Sequence, residues 1–474
     1  LPTPLSAQPS TLRARPLLAL AVLACLCNAC SVAPAYHAPA APVPSAYKEN
    51  AENKAWVTAV PADNLDRGPW WTLFGDPLLN DLMQQVAVSN QNVAAASAAY
   101  AQARSLVQEQ RGALFPSVTL TGGATRSDNA IRTGNNYQLG IGGSWEPDLW
   151  GRLRGAVDSA SASAQASAGD LASATLSAQG ELAADYISLR QTDAQNALLT
   201  DTIGGYRRVL QITQNRYSAG IAAKTDVLQA QTQLANAQVE QAGLARQRAQ
   251  LEHAIAVLTG KAPGDFSLAS TAWKITVPEI PLGLPSTLLQ RRPDIAAAER
   301  RVAAANQQIG IARAGYFPNI PLSASSGFSA SQLPQLIRAS SNVWSLGLAL
   351  TESLFNGGAT TARVNEAQAA NQAAIAHYRQ TVLTAFQQVE DQLAATRVLQ
   401  EQQVLRLQAS QAADQTEAQM LNRYKSGQVS YSDVVTTQVT ALTARRALVQ
   451  SQADQQTTAV ALIQALGGDW KPPS

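Results

Sequence analysis

Apolar residues recur every seven positions at Val93, Tyr100, Val107 and Leu114, and the rhythm then changes. Beyond Phe115-Pro116 it becomes an alternation by twos through Val118, Leu120, Gly122 and Ala124. The first spacing predicts a helix near 79–113 and the second a strand; proline separates them by disfavouring helical geometry in the residue before it and by removing a donor. A second alternating run, Tyr137, Leu139, Ile141 and Trp145, predicts a partner strand. The two strands, of about ten residues each, are joined by a polar loop at Ser127–Asn136.

The pattern returns. Ile295, Val302, Ile309 and Tyr316 lie 202 positions beyond the first heptad series, and Phe317-Pro318 follows them. Strands are then expected through Ile320, Leu322, Ala324 and Phe328, and through Trp344, Leu346, Leu348 and Leu350, across a loop at Ser329–Asn342. Further on, the run from Asn215 to Asp226 corresponds to Asn422–Asp433 at a shift of 207. The chain therefore reads as a tandem duplication.

No proline occurs between Pro147 and Pro263 or between Pro334 and Pro472. Those spans read as helical hairpins turning at Gly220 and Gly427. The first arm, near Gly151–Ser218, would be about 100 Å long, and the return arm near Lys224–Leu258 about 50 Å, like the helix before the strands. Seven-residue spacing implies left-handed supercoiling, and alanine-rich faces allow close approach. The fold class is mainly α with a small β part: duplicated coiled-coil hairpins and four strands.

Four alternating strands suit either a half-buried sheet in a soluble domain or a share of a membrane barrel. Four cannot close a barrel, and an open edge in lipid leaves backbone groups unsatisfied at several kcal/mol each. If the strands span a membrane, copies must share them, and three chains would supply twelve. Phe115, Phe317, Trp145 and Trp344 would then sit near the interfaces.

Composition narrows the function. Aromatic residues make up 5% and charged residues 14% of the 474, which suits long, thin packing. Residues 1–29 read as a secretory leader, with Arg13 and Arg15 before apolar Leu17–Leu26. Removing those two arginines from the 35 basic residues leaves 33 against 33 acidic ones, so no nucleic-acid partner is expected. Cys25, Cys27 and Cys30 are the only cysteines and end that leader, so the thiol of Cys30 or Cys25 is a candidate for lipidation. Each buried acyl methylene contributes about 0.8 kcal/mol, so two or three chains would anchor the protein to membrane lipid. His37, His253 and His377 have no second ligand at i+4; no metal site, cofactor or enzymatic activity is expected.

Four stretches carry a likeness: Cys30-Ser-Val-Ala-Pro34-Ala-Tyr36; Trp70-Trp71-Thr-Leu-Phe74-Gly-Asp76-Pro77; Trp145-Glu-Pro-Asp-Leu-Trp-Gly151-Arg; and Leu288-Leu-Gln-Arg291-Arg292-Pro293-Asp294-Ile295 with Glu299. In this order they resemble the TolC-like outer-membrane efflux proteins, in the NodT-like lipoprotein branch that works with resistance-nodulation-division pumps. The resemblance implies a homotrimeric duct with a shared 12-stranded β-barrel, an α-barrel in the periplasm, and a collar from Val43–Pro69, Lys261–Pro285 and Leu466–Ser474. It favours Cys30 as the acylated residue, and implies as partners a periplasmic adaptor, an inner-membrane pump and outer-membrane lipid. The expected divisions are a leader at 1–29, an N-terminal segment at 30–76, repeats at 77–262 and 287–465, a linker at 263–286 and a tail at 466–474.

In that family the hairpin turns form a closed periplasmic tip. Asp226 and Asp433 would ring it, Gly220 and Gly427 would turn it, and Tyr217, Tyr424, Arg216 and Arg423 would tie neighbouring hairpins. An aspartate in a first helical turn also caps the helix, so both readings stand for that pair. The competing overall reading is a secreted coiled-coil scaffold or adhesion lipoprotein without a pore.

Overall fold

The computed structural model describes residues 32–50, 69–129, 132–273, 275–278, 280 and 291–468. Much of the expected collar lies outside them, as does Cys30. The chain divides into two compact units: Leu1–Ala40 with Tyr100–Ser167 and Ala297–Tyr378, and Ala41–Ala99 with Ala168–Ala296 and Arg379–Ser474.

The element order is α1 (Pro77–Ser89), α2 (Gln91–Gly112), β1 (Ser117–Asn129), β2 (Arg132–Trp145), α3 (Arg152–Ser218) and α4 (Lys224–Leu258). It continues with α5 (Pro293–Ala314), β3 (Leu322–Ala330), β4 (Asn342–Leu348), α6 (Ala359–Lys425) and α7 (Tyr431–Ala465). The long arms α3 and α6 have 67 residues each, and the return arms α4 and α7 have 35 each, so the duplication extends to element length. Among the described residues no helix is long and apolar enough to cross a membrane.

The first unit holds the sheet. Its four strands run in the order β1-β2-β3-β4, all antiparallel, which leaves β1 and β4 as edges. The first hairpin is longer than the alternation suggested: Ser127, Asp128 and Asn129 pair with Gly134, Thr133 and Arg132, so most of the expected loop is ladder. Backbone pairing needs no apolar side chain, and the hairpin continues past its apolar band. In the second repeat the ladder is shorter. Pro321 has no N–H to give, so the strand expected from Ile320 begins at Leu322, with an isolated bridge from Asn319 to Thr351. Leu350 likewise lies beyond the end of β4.

Below the sheet, the small faces of α3 pack closely. Ala160 and Ala164 bury against Val107 of α2, and Ser159 donates to the Ala304 carbonyl of α5 and accepts from Gln308. Trp150 lies parallel on Phe317 at 4.7 Å and donates its indole N–H to the Pro318 carbonyl, which fixes the second Phe-Pro junction.

In the second unit, Leu199, Ile203 and Tyr206 of α3 bury against Ala237 and Leu244 of α4 and Leu442 of α7. The helix expected near 79–113 is broken into α1 and α2 at Asn90. The Asn90 side chain accepts from the N–H groups of Asn92 and Val93, starting a new helix, while its amide donates to the Leu258 carbonyl that ends α4. Arg292 does the equivalent work in the second repeat. Its guanidinium donates to the Ala465 carbonyl at the end of α7, to Gln388 and to both oxygens of Asp294.

Both return helices then finish on matched glycines. Gly260 (φ 72°) and Gly467 (φ 91°) lie so close to the carbonyls of Ser89 and Arg291 that an added Cβ would collide with each oxygen. Gly220 shares the left-handed conformation (φ 76°) but has nothing within 4 Å. Gly220→Ala should therefore cost only the backbone strain of about 1–2 kcal/mol, whereas Gly260→Ala should cost more. Thermal unfolding in detergent should give the larger drop for Gly260→Ala; equal drops would contradict the close approach.

Candidate functional site

The strand register sorts the sheet into two unlike faces. Leu120, Ile141, Ser326 and Trp344 are directly paired across the four strands, as are Val118, Gly143, Ala324 and Leu346. With Leu139, Trp145, Leu322, Phe328 and Leu348 on the same side, one face is largely apolar. Most of its large residues are exposed, Leu120, Trp344 and Leu346 by about three-quarters each, while Leu322 and Phe328 are half-buried. The opposite face carries Thr119, Thr121, Gly123, Gln138, Gly140, Gly142, Ser323, Ser325, Ser345 and Gly347, with Val343 its one large aliphatic side chain.

A sheet in a soluble domain turns its apolar face to a core, whereas this one leaves it uncovered. At the end nearest the helices, Phe115 and Phe317 are exposed, and Trp145 turns its N–H to the Leu114 carbonyl at 2.9 Å. An aromatic body beside a satisfied polar group suits a membrane–water boundary.

The second feature is the pair of hairpin turns. At the first, Gly220 donates to Tyr217 O and Ile221 to Arg216 O; at the second, Gly427 donates to Tyr424 O and Gln428 to Arg423 O. Both glycines have positive φ.

Arg216 joins the two turns. Its guanidinium donates to the carbonyls of Tyr424 and Lys425 at 3.0 and 3.1 Å and lies over the Tyr424 ring at 4.8 Å. Tyr424 is buried against Tyr431, Val434, Val209 and Ala230, and burial beside it pushes the Tyr431 phenol up. The counterparts one repeat away behave differently. Tyr217 and Arg423 are exposed, with no side-chain partner among the described residues.

The two aspartates also diverge. Asp433 forms a capping box with Ser430: the carboxylate accepts from the Ser430 N–H, and the Ser430 hydroxyl accepts from the Asp433 N–H. Asp226 begins a helix whose cap is Ala223, and its carboxylate has no hydrogen bond among the described residues. A side-chain cap is formed by Asp433 alone; Asp226 stands in the first turn of α4, where the macrodipole favours a carboxylate, without a side-chain hydrogen bond among the described residues.

Two arrangements are invisible in the sequence pattern. Asp193 on α3 pairs with Arg190 at 3.0 Å and Arg248 of α4 at 2.8 Å, while Arg190 donates to Ala269 O, Arg248 to Leu268 O, and Glu252 accepts from Leu268 N. This buried network clamps the inter-repeat segment onto the first hairpin. Its spacing, Arg190-x-x-Asp193 and Arg248-x-x-x-Glu252, is ordinary for exposed helical ion pairs, so burial could not be read from it. The other is Asp185, which burial and the Glu181 carboxylate one turn away push up to about 6. Among the described residues no group of histidines, cysteines and acids could hold a metal.

A raised carboxylate favours folding in its protonated form, so its contribution is present below pH 4 and is lost as pH rises through about 6. Asp185→Asn should raise the unfolding temperature at pH 8 and leave it unchanged at pH 4. A gain of equal size at both values would contradict the shift.

The family model described as outer membrane efflux protein matches residues 82–261 and again 284–468. The chain is 31% identical over 464 residues to the antibiotic efflux pump outer membrane protein ArpC of Pseudomonas putida, covering 96% of each. Identity and coverage are the same for the toluene efflux pump outer membrane protein TtgC of the same species. Among solved structures, the outer-membrane channel OprN superposes with a TM-score of 0.84 at 29% identity, over 93% of this chain and 99% of that one.

Proposed function

The chain belongs to the outer membrane efflux protein family and is an outer-membrane component of an efflux system; from that premise we propose that it works as a homotrimeric passive conduit. The observation that carries this reading is the four-stranded sheet with two unpaired edges and one bare apolar face. In lipid, those edges need partners. An even number of antiparallel strands per chain lets β4 of one copy meet β1 of the next in antiparallel register, so the alternation continues around a ring. Three copies give twelve strands, with the threonine, serine and glycine face inward.

The hairpin turns then become the closed end. Within one copy Arg216 reaches across to Tyr424. The duplication puts Arg423 and Tyr217 at the corresponding places, and a neighbouring copy is the partner that completes this second seam. Asp226 and Asp433 from three copies supply six carboxylates around a narrow axis, which attract cations and repel one another.

Cys30 is the acylated anchor in outer-membrane lipid. The partners are a periplasmic adaptor and an inner-membrane pump of the resistance-nodulation-division type. The cargo class is small organic molecules, since relatives named for antibiotics and for toluene are equally similar to this chain.

Reconstitution in planar bilayers tests the gate. Asp226→Ala with Asp433→Ala should raise single-channel conductance or weaken cation preference. Arg423→Ala alone should raise conductance severalfold by releasing the seam between copies. Traces unchanged in both variants would remove these residues from the gate, and no channel in the parent protein would remove the conduit.

A further inference from the structure

The segment Val32–Tyr36 lies along one face of α5. The Val32 N–H approaches the Trp150 carbonyl, Asn306 donates its side-chain amide to the Pro34 carbonyl at 2.9 Å, and the Tyr36 hydroxyl donates to the Glu299 carboxylate. Glu299, Asn306 and Gly310 are spaced by seven and four, which lines them up along a single helical stripe. Gly310 is where the segment comes nearest: a Cβ there would overlap Ala33, with the Ala33 Cα 2.7 Å away.

Glycine inside a helix weakens it relative to alanine, so its presence at 310 calls for a compensating contact. The duplication provides an internal control. The equivalent stripe on α2 is Ser97, Arg104 and Gln108. There a hydroxyl replaces the carboxylate, a cation replaces the short amide, and a long side chain occupies the place of the gap. Only one of the two equivalent helices has been shaped to receive a strap.

The strap also touches the place where helix becomes strand. Trp150, whose carbonyl receives Val32, is the residue that stacks on Phe317 and holds the Pro318 carbonyl. We infer that Glu299, Asn306 and Gly310 form a dedicated docking groove for the chain's own N-terminal strap, and that the seated strap couples the membrane anchor to the Phe317-Pro318 junction through Trp150. The anchoring half of this statement rests on the proposed acylation of Cys30, two residues before Val32. The groove itself does not.

The test uses the full-length, membrane-extracted protein carrying Gly310→Ala, with Gln108→Ala as the control at the equivalent place on α2. Alanine is the better helix former at both positions, so a loss at 310 cannot come from a weakened helix. Hydrogen exchange at the Val32 amide, which faces the Trp150 carbonyl, should speed up tenfold or more in Gly310→Ala and stay at the parent rate in Gln108→Ala. Adding Ala33→Gly, which removes one of the colliding atoms, should restore part of the protection.

The fraction of protein recovered as trimer should fall with strap protection while the acyl mass on the N-terminus stays unchanged. Parent-like exchange in Gly310→Ala would overturn the groove. Lost protection with an undiminished trimer fraction would overturn the coupling. An N-terminus that carries no acyl mass in the parent protein would instead defeat the anchoring reading, leaving the exchange result to decide the groove alone.

Discussion

The constraint on which the structure depends is that backbone N–H and C=O groups cannot be left unpaired in hydrocarbon. A sheet of four strands with an uncovered apolar face satisfies its inner ladders and leaves the outer sides of β1 and β4 open. In water such edges invite uncontrolled pairing, and in lipid each unpaired group is worth several kcal/mol. Closure by identical copies removes both problems at once. It also explains why strand-forming residues are so few in a chain that is mostly helix: each copy supplies only its arc of the wall.

The helical elements follow from the same symmetry. Matching arms of 67 and 35 residues in each repeat let the chain present two nearly equivalent hairpins. Their differences are as informative as their likeness. Asn90 and Arg292 close the return helices by different chemistry at equivalent positions, and Arg216 has a partner within the chain where Arg423 has none among the described residues. In the proposed homotrimer one seam lies inside the chain and one between copies, and residues at the outer seam are left bare in a single copy.

Much of this was legible in the sequence because it rests on periodicity. The heptad series, the alternation after each Phe-Pro and the long proline-free spans place the helices, strands and turns to within a few residues. What could not be read was decided by tertiary partners. Asn90 looks like any polar residue in a helical run until the end of α4 is brought beside it, and Asp193 looks like a surface acid until Arg190 and Arg248 bury it. The polar stretch Ser127–Asn129 reads as loop by composition, yet it pairs because its partner strand extends alongside. At the tips the sequence marked Asp226 and Asp433 alike, and only the side-chain geometry separates the capped residue from the free one.

The most direct measurement is the mass of the detergent-extracted protein by native mass spectrometry, combined with hydrogen exchange of the outermost strands. The account requires a particle of three chains in which the amides of β1 and β4 are protected as well as those of β2 and β3. A single-chain particle with rapidly exchanging β1 and β4 amides would contradict it.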